Sequence, residues 1–230
     1  MNNKEYADFL LPGIDKTIEY YENLYKKRDL PEGAIVTRYA PSPTGFVHMG
    51  ALFSAFIASK FAKQTNGVFY LRIEDTDQKR EVENGVIGII KDLKNYGISI
   101  DEGMTSETEW IGEYGPYIQS ARKEIYQTFA KYLKENDLAY PCFCTAEEVE
   151  AIRKEQENLK DRIGYYGKWA RDRYLSRDEV INKIKNGEKY VIRLKSPGKF
   201  ENKVIYDDLV KGKLELPEND LDIVIIKGDG

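Results

Sequence analysis

The sequence has little that would direct a chain into or across a membrane. No apolar run in its 230 residues approaches the roughly 18–20 that a membrane span needs. The opening stretch, MNNKEYADFLLPGIDK, lacks the basic start and apolar centre of a secretory signal. A cytoplasmic protein with no membrane partner is expected. Internal repeats and low-complexity tracts are missing too. A net charge of −4 leaves no global nucleic-acid footprint. Locally the balance turns, with 17 Lys+Arg against 11 Asp+Glu over residues 153–215. That surplus suits a solvated surface or, if the charges cluster in space, a face for phosphates. Cysteine is scarce: Cys142 and Cys144 stand alone as a C-x-C pair. A disulfide between residues two apart is geometrically awkward, so free thiols or half of a metal site remain.

At this length the chain can bury a core and hold one or two domains. Residues 14–28 read as an amphipathic helix, with Ile14, Ile18, Tyr21 and Tyr25 on one stripe, and Pro31-Glu32-Gly33 closes that extension. Residues 34–39 are a short β-prone run that ends in the turn-rich segment 41–45. A helix is predicted to start near His48, because Leu52, Phe53, Phe56, Ile57 and Phe61 recur at helical spacing. Residues 68–73 form the next strand, with Glu74-Asp75-Thr76-Asp77 just past its end. A further helix over 80–96 carries Val86, Ile90 and Leu93 inward. This βαβα order predicts a parallel α/β sheet. In such sheets ligands lie beyond the carboxyl ends of the strands, where both PSPTGFVHMG and EDTD fall.

Beyond Gly103 the pattern changes. Residues 117–136 and 145–158 look helical, 137–141 form a break, and 162–174 are aromatic and basic. Residues 190–195 and 204–209 read as strands, and 222–227 is a nearly all-apolar run of the kind a buried parallel strand shows. The expected division is a helical extension over 1–33, the first half of a doubly wound α/β domain over 34–104, an inserted α+β domain over 105–221, and a return strand over 222–230.

The segment from Arg38 to Gly50 is a turn feeding a helix start, where free backbone N–H groups and the helix dipole favour phosphate. Gly45 and Gly50 allow close backbone approach to a ligand. His48, the single histidine, is either structural there or placed to donate to phosphate oxygens as charge builds. Arg38 and Glu74, taken alone, read as a mutual surface ion pair worth under about 1 kcal/mol. Asp75 and Asp77 read as an acidic turn and a helix cap.

In order, R-x-A-P-S-P-T-G, H-x-G and R-I-E-D-T-D resemble the bacterial-type glutamyl-tRNA synthetases of class I. The likeness runs from about Ala34 to Gly230, through YGPYIQS, C-F-C-T-x-E-E, V-I-R-L-K and D-x-V-I-I-K-x-D-G. His48-Met49-Gly50-Ala51 matches the family's H-I-G-H signature with alanine in the last place. The resemblance implies a Rossmann-like catalytic domain, here incomplete, with an inserted tRNA acceptor-binding domain, in a monomer. It implies ATP-dependent activation of L-glutamate, with Mg2+ accompanying ATP, and attachment to the acceptor end of tRNA(Glu). Residue by residue it makes Arg38 the holder of a substrate carboxylate. Ala40 and Ser42 line the amino-acid pocket, and Glu74 accepts the substrate ammonium. Thr44, Gly45, His48 and Gly50 serve ATP, with His48 and Gly50 as the catalytic pair. The chemistry uses no side-chain nucleophile, so catalysis rests on positioning and charge stabilisation.

Some relatives bind zinc through C-x-C and a second pair about 25 residues later, which would complete a four-ligand site. Trp169 and Arg171 stand there in this chain, so no structural zinc is expected. The family's K-M-S-K-S-type loop, second substrate arginine and anticodon-binding domains have no counterpart in these residues, and the chain alone is expected to be inactive. The run 165–174 either packs a small core or stacks on an unpaired 3′ end. Rival readings are a glutamyl-queuosine tRNA synthetase-like enzyme, which usually carries E-D-L-D, and a glutaminyl enzyme, which carries P-E-P-N-G. A small nucleotidyltransferase explains neither the insertion nor IEDTD, and a non-catalytic tRNA-binding fragment is the module alternative.

Overall fold

The computed structural model describes every residue except Phe46, Gln78, Leu209, Val210, Asp229 and Gly230. Phe46 of the glycine-bounded turn, Leu209 of the expected strand 204–209 and the last two residues of the expected return strand thus lie outside the described residues.

The chain opens with helices α1 (Asn3–Leu10) and α2 (Ile18–Leu24). It continues through β1 (Val36–Tyr39), α3 (Met49–Gln64), β2 (Val68–Leu71), α4 (Gly85–Asn95), β3 (Glu102–Met104) and β4 (Trp110–Ile111). Next come α5 (Lys123–Glu135), β5 (Ala139–Cys142), α6 (Ala146–Asn158), α7 (Arg177–Lys185) and β6 (Val191–Leu194). The hairpin β7 (Lys203–Asp208) and β8 (Gly212–Pro217) precedes β9 (Val224–Ile226). Two compact units result: Glu19–Ile125, and Met1–Ile18 together with Tyr126–Gly230.

In the first unit the sheet order is β1-β2-β3-β4. β1, β2 and β3 run parallel, and β4 pairs antiparallel to β3. The expected βαβα order is therefore present, with α3 and α4 as the crossovers. Side chains alternate along β2, so Phe69, Leu71 and Ile73 are fully buried on one face while Tyr70, Arg72 and Glu74 share the other. The Thr37 hydroxyl donates to the Ala58 carbonyl on α3, which marks the α3 face and sends Arg38 to the opposite one. Of the apolar stripe that announces α3, only Leu52 is buried. Leu52, Ala55, Ser59 and Ala62 face inward, while Phe53, Phe56, Ile57 and Phe61 remain exposed. Small inward side chains let a helix lie close to the sheet, and a periodicity count weights the larger residues instead. α4 buries Val86, Ile89 and Leu93, so Ile89 takes the place expected for Ile90.

The extension 1–33 is not one element. Ile14 packs with Tyr6 and Leu10 in the unit formed by the chain's two ends, whereas Tyr21 and Arg28 belong to the sheet unit. Arg28 donates to Glu102 and lies 3.6 Å above the Tyr114 ring, and the Tyr117 hydroxyl also donates to Glu102. The helix expected over 117–136 begins at Lys123, after one tight turn at Ser120–Arg122.

In the second unit β5, β6 and β9 form an antiparallel sheet, and among the described residues β7 pairs only with β8. This corrects the expected return of residues 222–230 to the parallel sheet. The cause is Asp222, whose side chain is wholly buried. Its carboxylate accepts from Arg173, the Tyr140 hydroxyl and the Ser196 backbone N–H, each at 2.8 Å, and its carbonyl accepts from Arg193. These bonds anchor the run beside β6, and an apolar run looks the same for either strand direction. Among the described residues no helix is long and apolar enough to cross a membrane.

Candidate active site

The turn after β1 is built by two carbonyls of a proline-rich segment that has few N–H groups of its own. Pro41 O accepts from the Glu74 N–H at 2.9 Å, and Pro43 O accepts from Val82 at 3.0 Å. Gly85, the first residue of α4, presses on the same turn: a Cβ there would come within 2.8 Å of Pro43 O. The turn is thus held against the stretch that follows β2.

His48 caps α3, with extended backbone and Nδ1 accepting the Ala51 N–H at 3.2 Å. A nitrogen that accepts carries no proton, so in this arrangement the neutral ring is protonated at Nε2, which remains a donor. Gly50 leaves room for the ring, since a Cβ at that position would lie 3.2 Å from Nδ1.

A cavity of about 460 Å³ opens here. Ala40, Ser42, Thr44, Gly45 and His48 line it, joined by Ala51, Ser54 and Ile89. Gly50, in the first turn of α3, is not part of the lining. Neither are Arg38 and Glu74, which form a charge cluster tied to the wall through the Glu74–Pro41 backbone bond. Arg38 Nη1 lies 3.3 Å from Glu74 Oε1, so the pair that the sequence allows is made. Arg72 Nη2 donates to the same oxygen at 3.0 Å. Sequence reasoning passed over Arg72, although its two-residue offset from Glu74 past a strand was a signal. Ser54 and Ile89 were also missed, and nothing in their spacing singles them out. Asp75 and Asp77 are structural in a different way from expected. Asp75 accepts from the Ser120 N–H at 2.8 Å and from its hydroxyl, and Asp77 pairs with Arg80, while Asn84 occupies the position before α4.

Cys142, Cys144 and Asp172 bring three donor atoms within 4.8 Å of one another. The Tyr165 hydroxyl lies 3.4 Å from Cys142 Sγ and 3.2 Å from Cys144 Sγ. Asp172 Oδ2 already accepts the Phe143 N–H at 2.6 Å, and Arg171 Nη2 sits 3.8 Å from Cys144 Sγ. Tyr165 and Trp169 are buried with Tyr140 and Ile152, so most of the aromatic run is core, while Tyr174 is 72% exposed. Much of the basic surplus is tied up in ion pairs, among them Arg162–Asp220, Arg173–Asp222, Lys183–Glu188 and Lys195–Asp137.

Known proteins resemble this chain in sequence and in fold. A glutamate–tRNA ligase of Clostridium beijerinckii is 54% identical over all 230 residues, and one of Acetivibrio thermocellus is 50% identical over 231 aligned positions. This chain spans 42% of the length of each. The crystal structure of a glutamate tRNA ligase from Elizabethkingia meningosepticum in complex with its amino acid superposes with a TM-score of 0.73 at 36% identity. It covers 85% of this chain and 39% of its own. The pattern of the catalytic domain of class I tRNA synthetases (E and Q) matches residues 34–229, and this chain belongs to that family.

Proposed function

We propose that this chain supplies the glutamate- and ATP-binding part of a monomeric, cytoplasmic glutamate–tRNA ligase, which activates L-glutamate with magnesium-bound ATP and passes it to the acceptor end of tRNA(Glu). One observation carries the reading: the cavity that holds the phosphate-suited helix start is walled by Pro41, whose carbonyl accepts the Glu74 N–H, and the Glu74 carboxylate bears two guanidiniums. Free glutamate bears two carboxylates and one ammonium, so it requires cations and an anion side by side. Arg38 takes a carboxylate and Glu74 the ammonium, with Ala40 and Ser42 along the amino-acid side. The Arg38–Glu74 pair opens to admit them, which costs little for a pair with side-chain exposures of 39% and 30%. Thr44, Gly45 and His48 face the triphosphate, and Gly50 serves the same side by giving the His48 ring room. A substrate carboxylate oxygen then attacks the α-phosphorus, pyrophosphate leaves, and a terminal ribose hydroxyl later displaces AMP from the acyl carbon. Through Nε2–H, His48 stabilises charge growing on phosphate oxygens while Nδ1 keeps its cap.

The unit containing Tyr126–Gly230 is the part assigned to the acceptor end, with exposed Tyr174 offered to an unpaired base. A structural zinc does not fit its thiol cluster. Two sulfurs and one already bonded carboxylate fall short of the four ligands such a site takes, and the Arg171 cation stands beside Cys144.

Calorimetric titration of the chain with glutamate, ATP and tRNA separately tests the reading. Glutamate and ATP should each bind, and Arg38→Met should weaken glutamate about tenfold while sparing ATP. Binding of tRNA without either small substrate would replace this reading with a tRNA-binding module.

A further inference from the structure

Glu74 is held by two guanidiniums that are not equivalent. Arg72 Nη2 makes a hydrogen bond to Oε1 at 3.0 Å, and its side chain is 19% exposed. Arg38 reaches the same oxygen at 3.3 Å from a side chain about twice as exposed, 39%. Backbone bonds fix the first pair further. Arg72 N–H donates to Tyr39 O at 3.0 Å and Glu74 N–H donates to Pro41 O at 2.9 Å, so residues 72–74 are laced to the chain that forms the cavity wall. Two positions apart in extended chain, Arg72 and Glu74 share one face, and their pairing needs no further element. Arg72 Nε is buried and has no hydrogen-bond partner among the described residues.

We propose that Arg72 is a positioning residue for amino-acid recognition: it holds the Glu74 carboxylate in place after Arg38 turns away to the substrate carboxylate. The inference rests on the reading of Arg38 and Glu74 as the glutamate site. Without Arg72, Glu74 would follow Arg38 or swing to solvent, and its charge would no longer meet the substrate ammonium. The role is specific to the ammonium. A ligand with two carboxylates and no amine, glutarate, does not need Glu74 and does not need Arg72.

Affinities of the chain for glutamate and glutarate, measured by calorimetry on the unaltered protein, Arg72→Met and Arg72→Lys, decide the matter. The unaltered chain should prefer glutamate. Arg72→Met should lose about tenfold in glutamate affinity with glutarate unchanged, because one charge-assisted bond to Glu74 is gone. Arg72→Lys should fall between the two, since an ammonium keeps the charge but not the fixed fork. Glu74→Gln should show the same selective loss, and circular dichroism should show all variants folded. Equal loss for both ligands in Arg72→Met would make Arg72 structural, and unchanged glutamate binding would make it irrelevant; either overturns the inference while the glutamate site stands. A lack of glutamate binding by the unaltered chain would remove the functional reading and this inference with it.

Discussion

His48 Nδ1 lies 3.2 Å from the backbone nitrogen of Ala51 and accepts its hydrogen bond. Nδ1 therefore closes the first turn of α3, and the Nε2–H on the other edge of the ring is the donor proposed to face an anion at the helix start.

Those jobs separate by substitution. Asparagine caps helices well but lacks a donor where Nε2 stands, so His48→Asn should leave the unfolding midpoint nearly unchanged and weaken ATP binding. His48→Ala should lose both, with a cap cost of about 0.5–2 kcal/mol. Urea unfolding read beside ATP titration distinguishes them. Equal ATP affinity in His48→Asn and the unaltered chain would remove His48 from the phosphate side.

Gly85 tests how far the turn depends on its support. A methyl group there meets the Pro43 carbonyl at 2.8 Å and the Pro43 Cβ at 2.9 Å, both on a rigid ring residue that yields little. Gly85→Ala should destabilise the fold by about 1–3 kcal/mol and weaken glutamate and ATP together, because the turn carrying Ser42 and Thr44 must shift. A neighbouring control, Gly88→Ala, meets nothing within 4 Å and should be stable or slightly stabilised. If the two variants unfold alike, the turn is not supported through Gly85.

What the sequence disclosed and what it hid follow one physical division. Local rules placed β1, β2 and the start of α3, since turn residues, alternation and a capping position depend on neighbours a few residues away. Five of the eight residues expected at the site line one cavity for that reason. Pairing over long distances was hidden. Val224 and Ile226 look like a parallel strand until Asp222 finds Arg173, Tyr140 and Ser196, and no periodicity announces those partners. The break read over 137–141 is a strand for the same reason: β5 is fully buried along its length only because β6 lies beside it. β3 and β4 are too short to be read, β8 is exposed along most of its length, and α1 and α7 left too weak a stripe.

The thiols give a prediction in pH. Burial pushes the Cys144 thiol above its ordinary 9.0, the nearby Cys142 sulfur and Asp172 carboxylate add to that, and the Tyr165 hydroxyl only partly opposes it. A raised thiol is protonated in the fold where the unfolded chain has lost its proton. Its contribution to stability is therefore complete below pH 9.0 and declines as pH rises through the higher folded value. At pH 7 alkylation of the folded chain should be slower than that of an unfolded control, because the thiolate is the reactive form. Prompt modification of Cys144 at neutral pH would contradict this environment.

Metal removal addresses the same cluster from the other side. Zinc requires deprotonated sulfurs and four ligands, whereas this cluster offers a protonation-prone Cys144, a carboxylate engaged by Phe143 N–H and a guanidinium at 3.8 Å. Purified chain should hold well under one zinc per molecule by elemental analysis, and excess chelator should leave its thermal midpoint in place. Stoichiometric zinc whose removal lowers that midpoint would show that Tyr165 and Asp172 complete a site with the two thiols.

Asp222 offers the sharpest energetic test of the antiparallel placement of β9. Its side chain is wholly buried, it faces Arg173 at 2.8 Å, and it accepts from Tyr140, whose own ionisation is pushed up, first by burial and then by this bond. Asp222→Ala removes the anion but leaves a largely buried guanidinium, the costly half of a broken pair, at about 3–5 kcal/mol. Asp222→Asn keeps the shape and some acceptors and should cost less. Because β9 is held to β6 by this carboxylate and by the Arg193 bond to its carbonyl, amide exchange in Ile192 and Ile226 should accelerate in Asp222→Ala while Phe69 and Leu71 in the parallel sheet retain protection. Loss of protection in Phe69 and Leu71 instead, with Ile226 unaffected, would return the segment to the parallel sheet.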